Sequence, residues 1–249
     1  MRLGAILGTI ESEGPKAIAD QAAELEKAGF ESLWAPQAIG RGFMTYDPFV
    51  SLSIAAGVTK HVELGTAILQ LPLYHPTDVA LKSFSLMQES NGRFLLGIGA
   101  GSTESDHLVL HSDFSSRFHN FSQKLDVLRS IFKTGQFEET DLTPWLSVEG
   151  GPPILHGTWG QGVEVAATEY QGWIASGMHR GPSQLEKAIS RYRKAGGSRA
   201  IVSTIILGKE MNHAAVQNLL SQYRNMGFDD AVVMFTPGSL PPSEVRQMI

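Results

Sequence analysis

The sequence predicts a single (β/α)8 barrel domain over residues 1–249, and three observations carry that prediction. Strand-like apolar runs alternate with helical runs from end to end, and eight strands can be counted, nearly all separated by helices. Three segments share one grammar: Glu26–Ala35 (EKAGFESLWA), Arg193–Ser203 (RKAGGSRAIVS) and Arg224–Phe235 (RNMGFDDAVVMF). Each runs from a helix end through Gly and a polar turn into an apolar strand. Gly permits the left-handed residue that stops the helix, and the short turn returns the chain to a parallel strand. The length, 249 residues, is what one such barrel typically occupies. An open doubly wound sheet is the alternative made from the same units.

The elements follow in order. Arg2–Gly8 reads as a strand and Pro15–Ala28 as a helix, with Ile18, Ala22 and Leu25 on one face, Pro15 in its first turn and Gly29 as its stop. Ser32–Ala35 is the second strand, Pro48–Val58 the second helix, Val62–Leu69 a strand and Pro76–Glu89 a helix. Phe94–Ile98 reads as a buried strand and Arg117–Phe132 as a long helix. Thr134–Gly151 is irregular, with acids, a Pro and two glycines. Pro153–Leu155, Trp173–Ser176, Ala200–Leu207 and Ala231–Phe235 complete the strands, and Gly162–Thr168, Ser183–Ala195 and Ala214–Asn225 the helices.

Composition narrows the chemistry. The absence of Cys excludes disulfides, Cys-ligated zinc, iron–sulfur clusters and thiolate nucleophiles, so any redox chemistry must come from a bound cofactor. A net charge of −5 argues against broad nucleic-acid binding. No run approaches the length of a membrane span and the N-terminus enters strand-like sequence directly, so a soluble, cytoplasmic protein is expected.

In a barrel the site lies at the C-terminal ends of the strands: Thr9–Glu11, Pro36–Arg41, Ala67–His75, Gly99–Asp106, Gly157–Gly160, Ser176–His179 and Phe235–Gly238. Gly97–Thr103 (GIGAGST) follows a strand, and backbone without Cβ there can approach a phosphate or form an anion nest. Its third Gly comes one position too early for a dinucleotide fingerprint, and no helix clearly opens after it. Leu155–Gly162 (LHGTWGQG) joins a strand to a helix, whose free N–H groups would face the same mouth. Together the two loops form a two-sided phosphate cup that relies on backbone and hydroxyl donors, since neither contains Arg or Lys. His107 and His111 have a spacing that suits two metal ligands, but no third ligand can be assigned; they are read as exposed loop histidines and no metal is expected. His75 precedes Pro76 at a helix start and is either a cap or a site residue. Glu11, Glu104 and Asp106 are the acids at the predicted mouth, and there is no nucleophile elbow or P-loop.

Phe30–Gln37 (FESLWAPQ), Glu63–Pro76 (ELGTAILQLPLYHP) and Ser90–Thr103 (SNGRFLLGIGAGST), followed by Arg117–Phe118, Pro152–Gly157 and Gly172–Ser176 (GWIAS), together resemble the bacterial luciferase-like monooxygenase superfamily. The resemblance implies a barrel that binds FMN or the deazaflavin F420 at its C-terminal face, with reduced flavin activating O2 or passing hydride. By position it implies that Ala67 and Ile68 form the strand-3 bulge, joined by a cis peptide behind the isoalloxazine. Gly101, Ser102 and Thr103 match the family's first phosphate loop and Gly157, Thr158 and Gly160 its second. His75 matches a recurrent His–Pro. Gln37 stands where many members have a catalytic His, and an amide does not transfer protons near neutral pH. Some deazaflavin-type relatives resemble this Pro–Gln variant. Ala100 replaces a phosphate-binding Arg, and Met87 and Gln123 replace acids. The chain is shorter than most members, so segments that cover the substrate look trimmed.

The leading expectation is therefore a flavin-dependent oxidoreductase of monooxygenase type acting on a small organic substrate, with Gln37 and His75 as candidate catalytic residues. Phe43, Met44, Tyr46 and Trp159 are expected on the substrate side. The resemblance further implies a flavin reductase and a second copy of the chain as partners. A flavin-binding protein without turnover, and a phosphate-binding lyase or isomerase on the same barrel, are the alternatives.

Overall fold

The computed structural model describes residues 1–8, 18–43 and 45–249. Eight strands build the barrel: β1 (Arg2–Ile6), β2 (Ser32–Ala35), β3 (Glu63–Thr66), β4 (Phe94–Gly99), β5 (Ile154–Gly157), β6 (Gly172–Ser176), β7 (Ala200–Leu207) and β8 (Asp230–Phe235). The helices between and after them are α1 (Ile18–Lys27), α2 (Pro48–Val58), α3 (Pro76–Glu89), α4 (Arg117–Thr134), α5 (Gly162–Glu169), α6 (Pro182–Lys194), α7 (His213–Met226) and the five-residue α8 (Pro242–Arg246). The strand order is β3-β2-β1-β8-β7-β6-β5-β4, every pairing is parallel, and β3 closes on β4 through Leu64 opposite Phe94 and Gly65 opposite Leu95. Closure excludes the open doubly wound sheet. The three repeated helix ends behave as their grammar requires: Gly29, Gly196 and Gly227 adopt φ of +93°, +93° and +95°, a region closed to most side chains.

Strand alternation divides the apolar residues into two layers. Leu3, Ala5, Leu33, Leu64, Leu96 and Val233 point outward into the core shared with the helices. Ile6, Trp34, Leu95, Leu155, Ile174, Ile201, Val232 and Met234 fill the barrel interior. Trp34 does more than one residue's share there. It is fully buried, its Nε1 donates to Ser32 Oγ at 2.8 Å, its register partners on β1 and β3 are Ile6 and Gly65, and a Cβ on Gly4 would come within 3.0 Å of its Nε1. A Cβ on Gly65 would run into the indole ring. One large side chain thus occupies the space of several, which keeps the interior at native density.

The N-terminal end of the barrel is closed by charge. Arg199, at the start of β7, pairs with Asp230 at 2.9 Å and Glu63 at 2.7 Å; Arg2 pairs with Glu63 and lies 3.4 Å from Asp230. The Asp230 side chain is 1% exposed, so its charge is tolerable only because both guanidiniums face it.

Several elements differ from expectation. The third strand breaks after Thr66 into β3 and a two-residue strand, Leu69–Gln70, which pairs with β4, and the intervening Ala67–Ile68 peptide is cis. A five-residue helix, Glu104–Leu108, does open directly after Thr103, where none was expected. The irregular stretch holds a small antiparallel pair, Gln136–Phe137 with Thr140–Asp141. The expected start of the first helix at Pro15 lies outside the described residues. No helix among the described residues is long and apolar enough to cross a membrane.

Candidate active site

A cavity of about 1120 Å³ opens at the C-terminal ends of the strands and continues outward between α4 and α5. Its floor is made by the inward residues at the strand tips, among them Ile68, Ile174 and Met234. Both glycine loops border it. Ile98 on β4 lies opposite His156 on β5, so the chain segments that leave these two strands emerge side by side. Gly101 has φ +83°, and a Cβ there would run into Gln70 Oε1 and come within 2.9 Å of His107 Nε2; only Gly fits both the backbone and the space. A Cβ on Gly157 would run into Ile68. The second loop is braced from α6: Arg191 donates to the Gly160 carbonyl at 2.9 Å and pairs with Glu164 at 2.6 Å.

Of the residues expected to hold a cofactor, Ala67, Ile68, Gly101, Ser102, Gly157 and Thr158 line the cavity. Thr103 and Gly160 do not: Thr103 sits at the N-cap of the short helix without a side-chain capping bond, and Gly160 forms the turn at φ +64°. Gln37 lines the cavity; His75 does not. Of the two readings of His75, cap or site residue, its geometry is that of a cap. It is exposed at the start of α3, its Nδ1 accepts from Thr77 N at 3.3 Å, and its ring meets Phe137 edge-on. Phe43, Tyr46 and Trp159 reach the cavity as expected for the substrate side, while Met44 and Glu11 lie outside the described residues.

Gln37 belongs to a connected polar wall. Its Nε2 donates to Tyr74 Oη at 2.5 Å and its Oε1 accepts from Gln70 N at 2.7 Å. The Gln70 side chain donates to Asp106 Oδ2 at 2.7 Å, and Asp106 also receives the Arg41 guanidinium and Ile39 N. Burial pushes the Asp106 carboxyl up, but Arg41 and Gln70 together outweigh it and hold the group below the usual carboxylate range. Asp106 is therefore an ion-paired strut rather than a free acid at the mouth. Burial, with Asp47 and Asp78 nearby, pushes the Tyr74 hydroxyl up to about 12 against the opposing Gln37 hydrogen bond. His107 is buried, with Nδ1 3.2 Å from Ser112 Oγ, rather than exposed as expected; His111 is exposed.

Sequence reasoning missed four contributors. His156, one residue before Gly157, points outward between Phe121 of α4 and Tyr170 beyond α5, stacked at 5.1 and 4.4 Å between ring centroids. Burial, and then the Arg129 charge, push its imidazole down to about 4, so it is neutral at pH 7. Thr204, at φ +57° where β7 slips register against β8, turns toward the cavity. Beside the backbone and hydroxyl donors of the loops, on which the site was expected to rely, Arg117 at the start of α4 and Arg180 beyond β6 both line the cavity. Neither lies in a glycine loop, so no local pattern pointed to them. Arg117 alone had a trace, in the Arg–Phe pair of the resemblance.

Comparisons with known proteins bear on the family and the fold. Residues 1–234 match the family described as luciferase-like monooxygenase. The 4-hydroxyprotoasukamycin monooxygenase of Streptomyces nodosus subsp. asukaensis is 34% identical over 125 residues, covering 50% of this chain and 33% of that protein. The oxygenase component of flavin-dependent trigonelline monooxygenase from Acinetobacter baylyi is 24% identical over 207 residues, 74% of this chain and 56% of that one. A putative coenzyme F420-dependent oxidoreductase of Mycobacterium tuberculosis is 27% identical over 132 residues, 53% of this chain and 37% of that one. The chain thus spans between a third and a little over half the length of these curated relatives. Among solved structures, a monooxygenase from Streptomyces bottropensis superposes with a TM-score of 0.80 at 17% identity, covering 100% of this chain and 96% of the other, a likeness of fold. With a family match that runs through all eight barrel strands, this chain belongs to the luciferase-like monooxygenase family.

Proposed function

We propose that the protein is a flavin-dependent oxidoreductase of monooxygenase type, which takes reduced FMN and a small organic substrate together in the cavity at the barrel mouth. The observation that carries this reading is the cavity itself: about 1120 Å³, bordered by two side-by-side glycine loops and floored by Ala67 and Ile68. Ligand pockets run to roughly 1,000 Å³, so this volume suits a tricyclic cofactor with room left for a substrate. The fit extends to the loops, since Gly101 packs against Gln70 and His107 and Gly157 against Ile68 with no room for a Cβ, while both line the cavity.

In this reading Ala67 and Ile68 back the flavin ring, while Gly101, Ser102, Gly157 and Thr158 meet its phosphate. Reduced flavin, when bound, supplies the two electrons, either to O2 or as hydride. The side chains orient and shield. Gln37 is locked by Tyr74 and Gln70 and presents no titrating proton; Tyr74 keeps its proton and His156 lacks one across the neutral range. Phe43, Tyr46 and Trp159 supply the apolar wall for the substrate. A separate reductase would deliver the reduced flavin, as the oxygenase-component relative suggests. The homodimer that the family resemblance implies has a suitable face in Val50, Ile54 and Val58, exposed four residues apart along α2, and sedimentation of a Val50→Lys variant tests it.

Purified protein should quench added FMN fluorescence and, supplied with reduced flavin, O2 and a candidate substrate, form oxidised product above the free-flavin background. The Pro36–Gln37 pair and the F420-dependent relative favour a second cofactor, so F420 is titrated in parallel. Binding of neither flavin overturns the reading. Binding without turnover across a broad substrate panel favours the non-catalytic flavin-binding alternative.

A further inference from the structure

Strand β7 is irregular where it meets the cavity. Val202 pairs with Ala231 and Ile205 with Val233, so Ser203 and Thr204 stand opposite Val232 alone. Two residues facing one is a β-bulge, a device that re-aims a side chain, and Thr204 absorbs it at φ +57°. Among the described residues, five other than glycine have positive φ, and of these Thr204 alone lies inside a strand. A β-branched side chain is disfavoured in that region, and strain of this kind persists where a site uses it.

The bulge decides which way the side chains point. Ala200, Val202, Ile205 and Leu207 pack in the outer core, and Ile201 in the interior. Strict alternation after Val202 would send Thr204 outward and Ile205 inward. The extra residue keeps Ile205 and Leu207 in the outer core and gives Thr204 to the cavity, which it lines together with Ser203 and with Ser176 of β6. Ser203 is buried, and its Oγ donates to the Ala175 carbonyl at 3.3 Å. Thr204 Oγ1 lies 3.4 Å from that oxygen, long for a bond between hydroxyls. With the Ser203 proton committed, the Thr204 hydroxyl keeps its own proton for a ligand.

In the closed ring β7 stands four strands from β3, across the cavity from Ala67 and Ile68. A cofactor ring backed by that pair leaves the β7 side to the substrate. The tips of β6, β7, β8 and β1 bring Ser176, Ser203, Thr204, Met234 and Leu7 to the lining, hydroxyls and apolar groups without a charge. We propose that Thr204 determines substrate specificity: its hydroxyl, aimed inward by the bulge, donates to an uncharged accepting oxygen of the substrate, while Met234 and Leu7 take the apolar body. A carboxylate or sulfonate is disfavoured at this position, because hydroxyls and aliphatic carbon leave its charge uncompensated. The proposal rests on the flavin reading and deepens it by naming the substrate as neutral and oxygen-bearing.

The test uses three probes on one ring: cyclohexanone, methylenecyclohexane, in which CH2 replaces the oxygen, and cyclohexanecarboxylate. Their affinities are read from the absorbance of FMN-loaded protein and, without flavin, from tryptophan fluorescence, since Trp159 lines the cavity. Wild type should bind cyclohexanone about tenfold more tightly than either other probe, as expected for one neutral hydrogen bond. Thr204→Val, which keeps the shape, should lose that preference without weakening methylenecyclohexane, and Thr204→Ser should retain it. FMN affinity should be unchanged in every variant. Thr204→Gly should lose the preference and yet melt no lower than wild type, because Gly adopts φ +57° without strain. A residue kept for packing would do the reverse. Wild type without a preference for the ketone, a preference that survives in Thr204→Val, FMN affinity that falls along with it, or a lower Tm for Thr204→Gly would overturn the proposal. Wild type that binds neither FMN nor F420 overturns the flavin reading instead, and the flavin-free titrations then judge Thr204 by the same preference.

Discussion

The two ends of this barrel are built from the same residue types to opposite effect. At the N-terminal end Arg2 and Arg199 meet Glu63 and Asp230 in a closed set of ion pairs, and Asp230 and Glu63 together hold the Arg199 guanidinium above its usual range despite burial. At the C-terminal end Arg117 and Arg180 rest on aromatic rings, with no carboxylate paired to either among the described residues. A compensated charge cluster closes a barrel and stabilises it only through its completeness. An uncompensated one leaves binding capacity for an anion. The same side chain is structural at one end and available at the other, and its partners make the difference.

That contrast can be broken most strongly from below. Arg199→Met leaves Asp230 facing only the more distant Arg2, and should cost about 3 kcal/mol or more in urea unfolding, while the protein that remains folded keeps its FMN affinity. A cost below about 1 kcal/mol would mean that the cluster is not the closure described.

The next largest effect is a pH dependence at the cavity. The His156 pKa is depressed in the fold, to about 4 from an ordinary value near 6.5. Between those values the unfolded chain binds a proton that the native state refuses, so stability falls as pH drops from about 6.5 towards 4 and is fully present above that window. The loss should approach roughly 3 kcal/mol at pH 4, and His156→Phe should remove it while keeping the stack between Phe121 and Tyr170. An unchanged pH slope in that variant would place the titration elsewhere.

Smaller again is the polar wall. Gln37→Leu strands the buried Gln70 N–H and should cost about 1–3 kcal/mol, measured by the same unfolding curves. The smallest expected change is the most instructive: Arg117→Gln, with no ion pair to lose among the described residues, should alter stability by less than about 0.5 kcal/mol. A large loss there would make Arg117 as structural as Arg199 and erase the difference between the ends.

Much of the scaffold was legible because short-range rules sufficed. Ser32–Ala35, Pro48–Val58, Pro76–Glu89 and Ala200–Leu207 stand where periodicity and terminal residues put them, since Pro at a first turn and β-branched runs act within a few residues. The glycine loops were legible for the same reason. His75 was half-legible: His–Pro marks a helix start, but whether its ring turns to the cavity or caps the helix depends on where α3 sits. Asp106 read as an acid at the mouth, and only the fold brings Arg41 and Gln70 onto it.

The sequence by itself determined the eight βα units, their parallel direction and the family, because alternation, helix stops and the order of weak motifs are carried along the chain. The tertiary structure alone decided what faces what across the barrel: Trp34 filling the space above Gly65, Asp230 neutralised from two strands, His156 pressed neutral between two rings, and two arginines resting on rings with no carboxylate partner among the described residues. Those outcomes depend on residues far apart in sequence meeting in a low-dielectric interior, where the energy of a charge or a ring is set by its neighbours.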